Sequence, residues 1–196
     1  MSDPETIRVY DSRAGEYARV TASDGPDATL QAFIAALPPG GRVLDLGCGP
    51  GLSAGHMAAA GLEVEAWDAS AEMVALAAAR PGVTARQAVF EDLQAEAAYD
   101  GVWANFSLLH APRAAMPGHL AAIKRALKPA GLLHLGLKTG EGARRDALGR
   151  HYTYYTQDAL FDLLRAAGLR PGPARHGADT GLDGVVAPWI TVTAHA

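Results

Sequence analysis

The sequence predicts an α/β domain of three layers around a mostly parallel sheet. Short apolar runs of strand length alternate with helical periodicities at least four times along the chain, the pattern of crossover units. Many of the glycines and prolines fall between those runs, where turns belong. The 196 residues, 49% apolar and 19% charged, are enough for one domain (1–196) with a full hydrophobic core.

The elements follow in order. Residues 1–40 form a helical lead-in, in which Leu30, Phe33, Ile34 and Leu37 recur at helical spacing until Pro38-Pro39 stops the helix. Residues 42–46 are a buried strand that ends in a glycine turn, and a helix of small residues follows over 53–60. A second strand, 62–67, ends at Asp68. Ser70 then caps a helix with Glu72 in its first turn, and Pro81 ends it. Strands over 83–90 and 99–104, a helix over 117–127 and a strand over 132–137 continue the alternation. Thr156 caps the last helix, whose core face is Leu160, Leu163, Leu164 and Ala167, with Gly168 as its stop. The β-branched run 190–193 is a final strand.

Composition narrows the partners. A net charge of −4, with 17 basic against 21 acidic residues and no long basic run, argues against nucleic acid. No apolar stretch approaches membrane-spanning length, and the N-terminus lacks the apolar region of a secretory signal. The lone Cys48 excludes a disulfide framework and a cysteine-rich zinc site. None of the seven histidines stands in a metal-ligand spacing, so no metal is expected. His119, His134, His176 and His195 read as structural or surface residues. The expectation is a soluble cytoplasmic single domain.

In open parallel sheets, ligands bind at the carboxyl ends of strands, so the strand-to-helix loops carry the chemistry. The first reads VLDLGCGPG over 43–51. Its glycines allow a tight turn and let backbone approach a ligand. Asp45, inside an apolar strand, is either the cap of a neighbouring loop or a counter-charge for a cationic ligand. Asp68, about twenty residues on, either accepts ribose hydroxyls or faces the dipole of the following helix. Residues 49–54 also fit the dinucleotide pattern G-x-G-x-x-A. However, Pro50 has no N–H to give a pyrophosphate, and Asp45 would repel two phosphates. A cationic, phosphate-free nucleoside suits the loop better.

VLDLGCGPG resembles the first motif of class I S-adenosylmethionine-dependent methyltransferases, and the likeness extends over nearly the whole chain. EVEAWDAS (63–70) resembles that family's second strand with its ribose-binding acid, YDGVWAN (99–105) its fourth strand, and LKPAG (127–131) the turn before its fifth. WANFSLLH (103–110) and GRHY (149–152) are similar to a bacterial subgroup called tellurite-resistance-like methyltransferases. The resemblance implies a three-layer Rossmann-like fold with a seven-stranded sheet, one strand antiparallel near the C-terminus over 189–194. It implies S-adenosyl-L-methionine as cofactor and S-adenosyl-L-homocysteine as product. Carried over by position, Gly47, Cys48, Gly49 and Gly51 lie under the methionine portion, with Asp45 setting its charge. Asp68 takes the ribose, Ala69 follows it, and Met73, Phe90 and Glu91 meet the adenine. Asn105 and His110 bracket the fourth-strand loop near the sulfonium. Tyr17, on a lead-in segment like that of small-molecule methyltransferases, reaches the cofactor carboxylate, or else packs under a covering helix. The chain departs from the family at Val89, where an acid is common.

The polar stretch 138–156 follows a strand end and is a candidate substrate cover, with Arg144, Arg145 and Arg150 as candidates to hold an anionic acceptor. A solvated charged segment is the alternative. His110 is the candidate acid/base. The function expected is methyl transfer to a small-molecule acceptor. The alternatives are an NAD(P)-dependent oxidoreductase and a non-catalytic regulator that binds S-adenosylmethionine or S-adenosylhomocysteine.

Overall fold

A computed structural model describes residues 3–23 and 25–196, so residues 1, 2 and 24 of the expected lead-in lie outside the described residues. In chain order the elements are α1 (Pro4–Val20), α2 (Ala28–Ala35), β1 (Arg42–Leu46), α3 (Leu52–Ala59), β2 (Glu63–Asp68), α4 (Ala71–Ala78), β3 (Val83–Gln87) and β4 (Tyr99–Asn105). There follow α5 (Met116–Ala126), β5 (Leu127–Lys138), β6 (Ala143–Arg145), β7 (His151–Thr153), α6 (Gln157–Ala166), β8 (Arg170–Thr180) and β9 (Val186–His195).

Seven strands make one sheet in the order β3-β2-β1-β4-β5-β9-β8. The first five pair in parallel, and β9 runs antiparallel to both β5 and β8. The mostly parallel sheet with one reversed strand near the C-terminus is therefore present. Alternation along β1 sends Val43 to one face and Leu44 and Leu46 to the other. Val43 packs with Leu30 and Phe33 of α2, Ala54 and Met57 of α3 and Ala77 of α4. Leu44 and Leu46 pack with Leu120 and Ile123 of α5 and Leu160 and Leu164 of α6. Asp45 shares the face of Val43, so the strand's period carries a carboxylate into an apolar layer.

Four boundaries differ from expectation. The third strand stops at Gln87, because Phe90–Asp92 winds into a 3-10 turn held by the Val89 N–H donating to Asp92 Oδ2 at 3.0 Å. The fifth strand begins at Leu127, since α5 already ends at Ala126. β8 was not foreseen: its Pro- and Gly-rich sequence lacks apolar alternation, as an edge strand tolerates. Within 138–156 the chain forms the hairpin β6–β7.

That hairpin straps α1 down. Asp3 caps α1, accepting from the Thr6 N–H at 2.9 Å, and takes both Arg145 Nη1 (2.9 Å) and Nη2 (2.8 Å). The Arg145 guanidinium holds the Asp3 carboxyl well below the usual range. Arg145 also pairs with Glu5 at 3.3 Å, and the His151 N–H donates to Thr6 Oγ1 at 2.8 Å. Inside the hairpin, Arg150 is only 2% exposed; its Nη2 lies 2.6 Å and its Nε 2.8 Å from Asp146 Oδ2. A guanidinium so buried needs its partner. Asp146→Ala should cost about 3–5 kcal/mol in urea unfolding, and Asp146→Ala/Arg150→Met should recover more than half of it. Equal losses in both variants would show that the unpaired charge is not the cause.

Candidate active site

The strand order reverses between β1 and β4, and a cavity of about 430 Å³ opens at their carboxyl ends, covered by α1. The glycine turn forms its floor. Gly47 has φ +78°, and its N–H and that of Cys48 donate to Trp67 O at 2.7 and 2.9 Å, tying the loop to the end of β2. Ser107 closes in from β4, its Oγ donating to Leu46 O at 2.6 Å, so a Cβ at Gly47 would overlap the Ser107 Cβ. Only glycine satisfies both the conformation and the approach.

Gly49 and Cys48 also line the cavity, but Gly51 does not. Gly51 is the left-handed residue before α3, and a Cβ there would stand 2.7 Å from the Ala77 Cβ. Its small size lets α3 pack on α4, and Gly51, expected under the ligand, stands outside the lining. Cys48 is a buried thiol whose ionisation burial pushes well up, which disfavours a nucleophilic role.

Two carboxylates face the cavity. Asp45 is 3% exposed, and its Oδ2 has no hydrogen-bond partner. Burial, with Asp68 nearby, pushes its carboxyl up to about 8. Asp68 Oδ2 accepts the Gly49 N–H at 2.8 Å and its Oδ1 the Ser70 N–H at 2.9 Å, so it joins the glycine loop to the start of α4. Both readings of Asp68 are thus compatible: each oxygen keeps a further acceptor direction. Burial raises this carboxyl too. Ala69, Met73 and Phe90 line the wall beyond Asp68, and Tyr17 lines the α1 side.

Asn105 lines the cavity while its Oδ1 accepts from His134 Nε2 at 2.9 Å. His134 stacks on Trp103 at 3.7 Å, and burial lowers it to about 3, so it is a neutral core residue. His110 is also on the wall. Its Nδ1 lies 2.6 Å from His151 O and its Nε2 2.9 Å from Tyr10 Oη, and burial lowers it to about 4. Tyr10, not singled out from sequence, is the phenol at the centre of this corner. It stands seven residues before Tyr17, across a kink of α1 at Arg13, and the two rings meet edge-on at 5.5 Å.

Other expectations are corrected. Glu91 is outside the cavity lining; its carboxylate lies 4.0 Å from His119 Nε2 over a separate shallow groove. Arg144, Arg145 and Arg150 do not line the cavity either. Arg144 donates to Tyr154 Oη at 3.0 Å, and Arg145 and Arg150 are engaged with Asp3, Glu5 and Asp146. Long cations of this kind join segments far apart in sequence, which a local reading does not reveal. Among the described residues, the lining carries Asp3, Asp27, Asp45 and Asp68 and no lysine or arginine. No described helix is long and apolar enough to cross a membrane.

The raised Asp45 carboxyl sets a pH dependence. Between about pH 4 and about 8 the folded protein holds a proton that the unfolded chain releases, so this group lowers stability as pH rises through that window, and the loss stays constant above it. Unfolding free energies should fall relative to Asp45→Asn by up to about 1.4 kcal/mol per pH unit across the window. Parallel pH profiles for the two proteins would contradict the assignment.

Residues 43–131 match the family model of a methyltransferase domain. The cypemycin N-terminal methyltransferase of a Streptomyces species is 36% identical over 143 residues, 69% of this chain and 57% of that protein. The chain thus spans little more than half the length of that curated relative. Among solved structures, the 1,6-didemethyltoxoflavin-N1-methyltransferase of Burkholderia thailandensis, with S-adenosylhomocysteine bound, superposes with a TM-score of 0.76 at 24% identity. The match covers 97% of this chain and 87% of that one. The cyclase SpnF superposes with a TM-score of 0.73 at 20% identity, covering 100% and 97%. By the match across its central strands and by the order of its sheet, the chain carries a methyltransferase domain with the fold of the S-adenosylmethionine-dependent methyltransferases.

Proposed function

We propose that the chain transfers the methyl group of S-adenosylmethionine to a small-molecule acceptor. The observation that carries this reading is Asp45: a buried carboxylate with an oxygen left unpartnered, beside a glycine turn, in a cavity whose lining holds no cation. Such a group lacks a partner only until a cationic ligand arrives. The ammonium end of S-adenosylmethionine fits it. A dinucleotide does not, since two phosphates would meet four aspartates and no lysine or arginine.

When bound, the cofactor supplies a methyl group on a sulfonium, and the acceptor atom displaces sulfur in line, the C–S bond breaking toward sulfur. The chain's residues position and desolvate. Asp45 would hold the ammonium, giving up its proton as the cation arrives. Asp68 would accept the ribose hydroxyls while fixing the Gly49 N–H, and Met73 and Phe90 would flank the base. Tyr17 and the rest of α1 cover the cavity, which excludes water and holds the reactants in near-attack geometry. His110, kept neutral by burial, adds no positive charge to repel the sulfonium.

Fold alone does not settle chemistry, since the cyclase SpnF shares this architecture. The relative named for methylating an N-terminus puts amines beside phenols, thiols and oxyanions in the acceptor screen. S-Adenosylmethionine or S-adenosylhomocysteine at about 100 times its dissociation constant should stabilise the protein by about 2.7 kcal/mol, and some acceptor should yield methylated product. A thermal shift with NADH and none with S-adenosylmethionine would overturn the reading. Tight binding with no turnover on any acceptor class would leave the regulator.

A further inference from the structure

The wall beside His110 has a defined hydrogen-bond direction. His151 O can only accept, so the 2.6 Å contact places the hydrogen on His110 Nδ1 and leaves Nε2 as an acceptor. Arg150 can only donate, so its Nη1 gives a hydrogen to Tyr10 Oη at 3.2 Å, and the Tyr10 O–H is then directed at His110 Nε2 at 2.9 Å. The corner is aromatic throughout: the Tyr10 ring lies edge-on to His110 at 5.4 Å and to Tyr17 at 5.5 Å, and Tyr152 stands 4.7 Å from His110.

Charge and hydrogen-bond direction together narrow what can sit here. Behind the aromatic wall, the Lys138 ammonium lies 4.1 Å and the Arg150 guanidinium 5.3 Å from the Tyr152 ring centre, which opposes a cation. A carboxylate has no hydrogen to give His110 Nε2, which the contact with His151 O leaves as an acceptor. Tyr10 holds this place from α1, whose buried residues are Thr6 and Ala14 and which Asp3, Glu5 and Asp11 tie to Arg145 and Ser70.

We infer that the acceptor is an uncharged aromatic ring bearing a hydroxyl, which His110 Nε2 receives in the place that the Tyr10 phenol holds. This rests on the methyltransferase reading above. In the transfer, the acceptor oxygen forms the bond to the methyl carbon and the C–S electron pair goes to sulfur. The hydroxyl proton passes to His110 Nε2 and then to water as the product leaves. A methylated oxygen still carrying its proton is a far stronger acid than an imidazolium, so a weakly basic histidine suffices.

The test is calorimetric titration of the protein saturated with S-adenosylhomocysteine, using 2-naphthol, 2-naphthoate and 2-naphthylmethylammonium as probes of one ring system. Naphthol should bind about tenfold tighter than either charged probe. Tyr10→Phe keeps the ring but frees Nε2, so naphthol should bind severalfold tighter still. His110→Phe should abolish the preference. A preference for naphthoate or the ammonium, or naphthol binding that both variants leave unchanged, in protein that binds S-adenosylhomocysteine, would overturn the inference and leave methyl transfer standing. Failure to bind S-adenosylhomocysteine would overturn both.

Discussion

The site depends on one carboxylate that the fold buries with an oxygen left unpartnered. The period of β1 sends Asp45 to the face of Val43, where helices α2 and α3 supply apolar cover. Its unpartnered oxygen is destabilising in the free protein. The surrounding turn makes this tolerable, because Gly47 and Ser107 close so tightly that the carboxylate faces the cavity rather than a collapsed core. A site that stores unfavourable desolvation in this way gains it back when an opposite charge binds, which links burial to ligand choice.

A second constraint acts from above. Helix α1 contributes little to the core, yet it carries Tyr10 and Tyr17 into the cavity. Its position is set by a hairpin whose arginines are occupied within the structure, one at the surface with Asp3 and Glu5, one buried with Asp146. The same arrangement engages the hairpin's cations within the protein and aligns the Tyr10–His110 hydrogen bond. Cover and acceptor corner are therefore one assembly.

Much of this was legible in the sequence where the determinants are local. The order of strands and helices, the Ser70 cap and the placement of Asp45, Gly47, Asp68 and Met73 follow from periodicity and from a motif of adjacent residues. The β8 edge was not legible, because an exposed strand needs no apolar alternation. Gly51 was read with its neighbours as a ligand-facing glycine, although its small size serves the α3–α4 contact. The arginines could not be placed, since the Arg145 partner lies 142 residues away. The third strand was read three residues too long, into what is a 3-10 turn that its own side chain and backbone contacts hold.

The central claim is that Asp45 meets the cationic amino-acid end of the cofactor. Its most direct test compares the affinities of S-adenosylhomocysteine and 5′-methylthioadenosine, which share the nucleoside and differ in the amino-acid portion, in wild type and in Asp45→Asn. Wild type should prefer S-adenosylhomocysteine strongly, and the variant should lose about 1.5–3 kcal/mol of that preference, the range of a charge-assisted hydrogen bond. An unchanged preference in a folded Asp45→Asn protein would contradict the account.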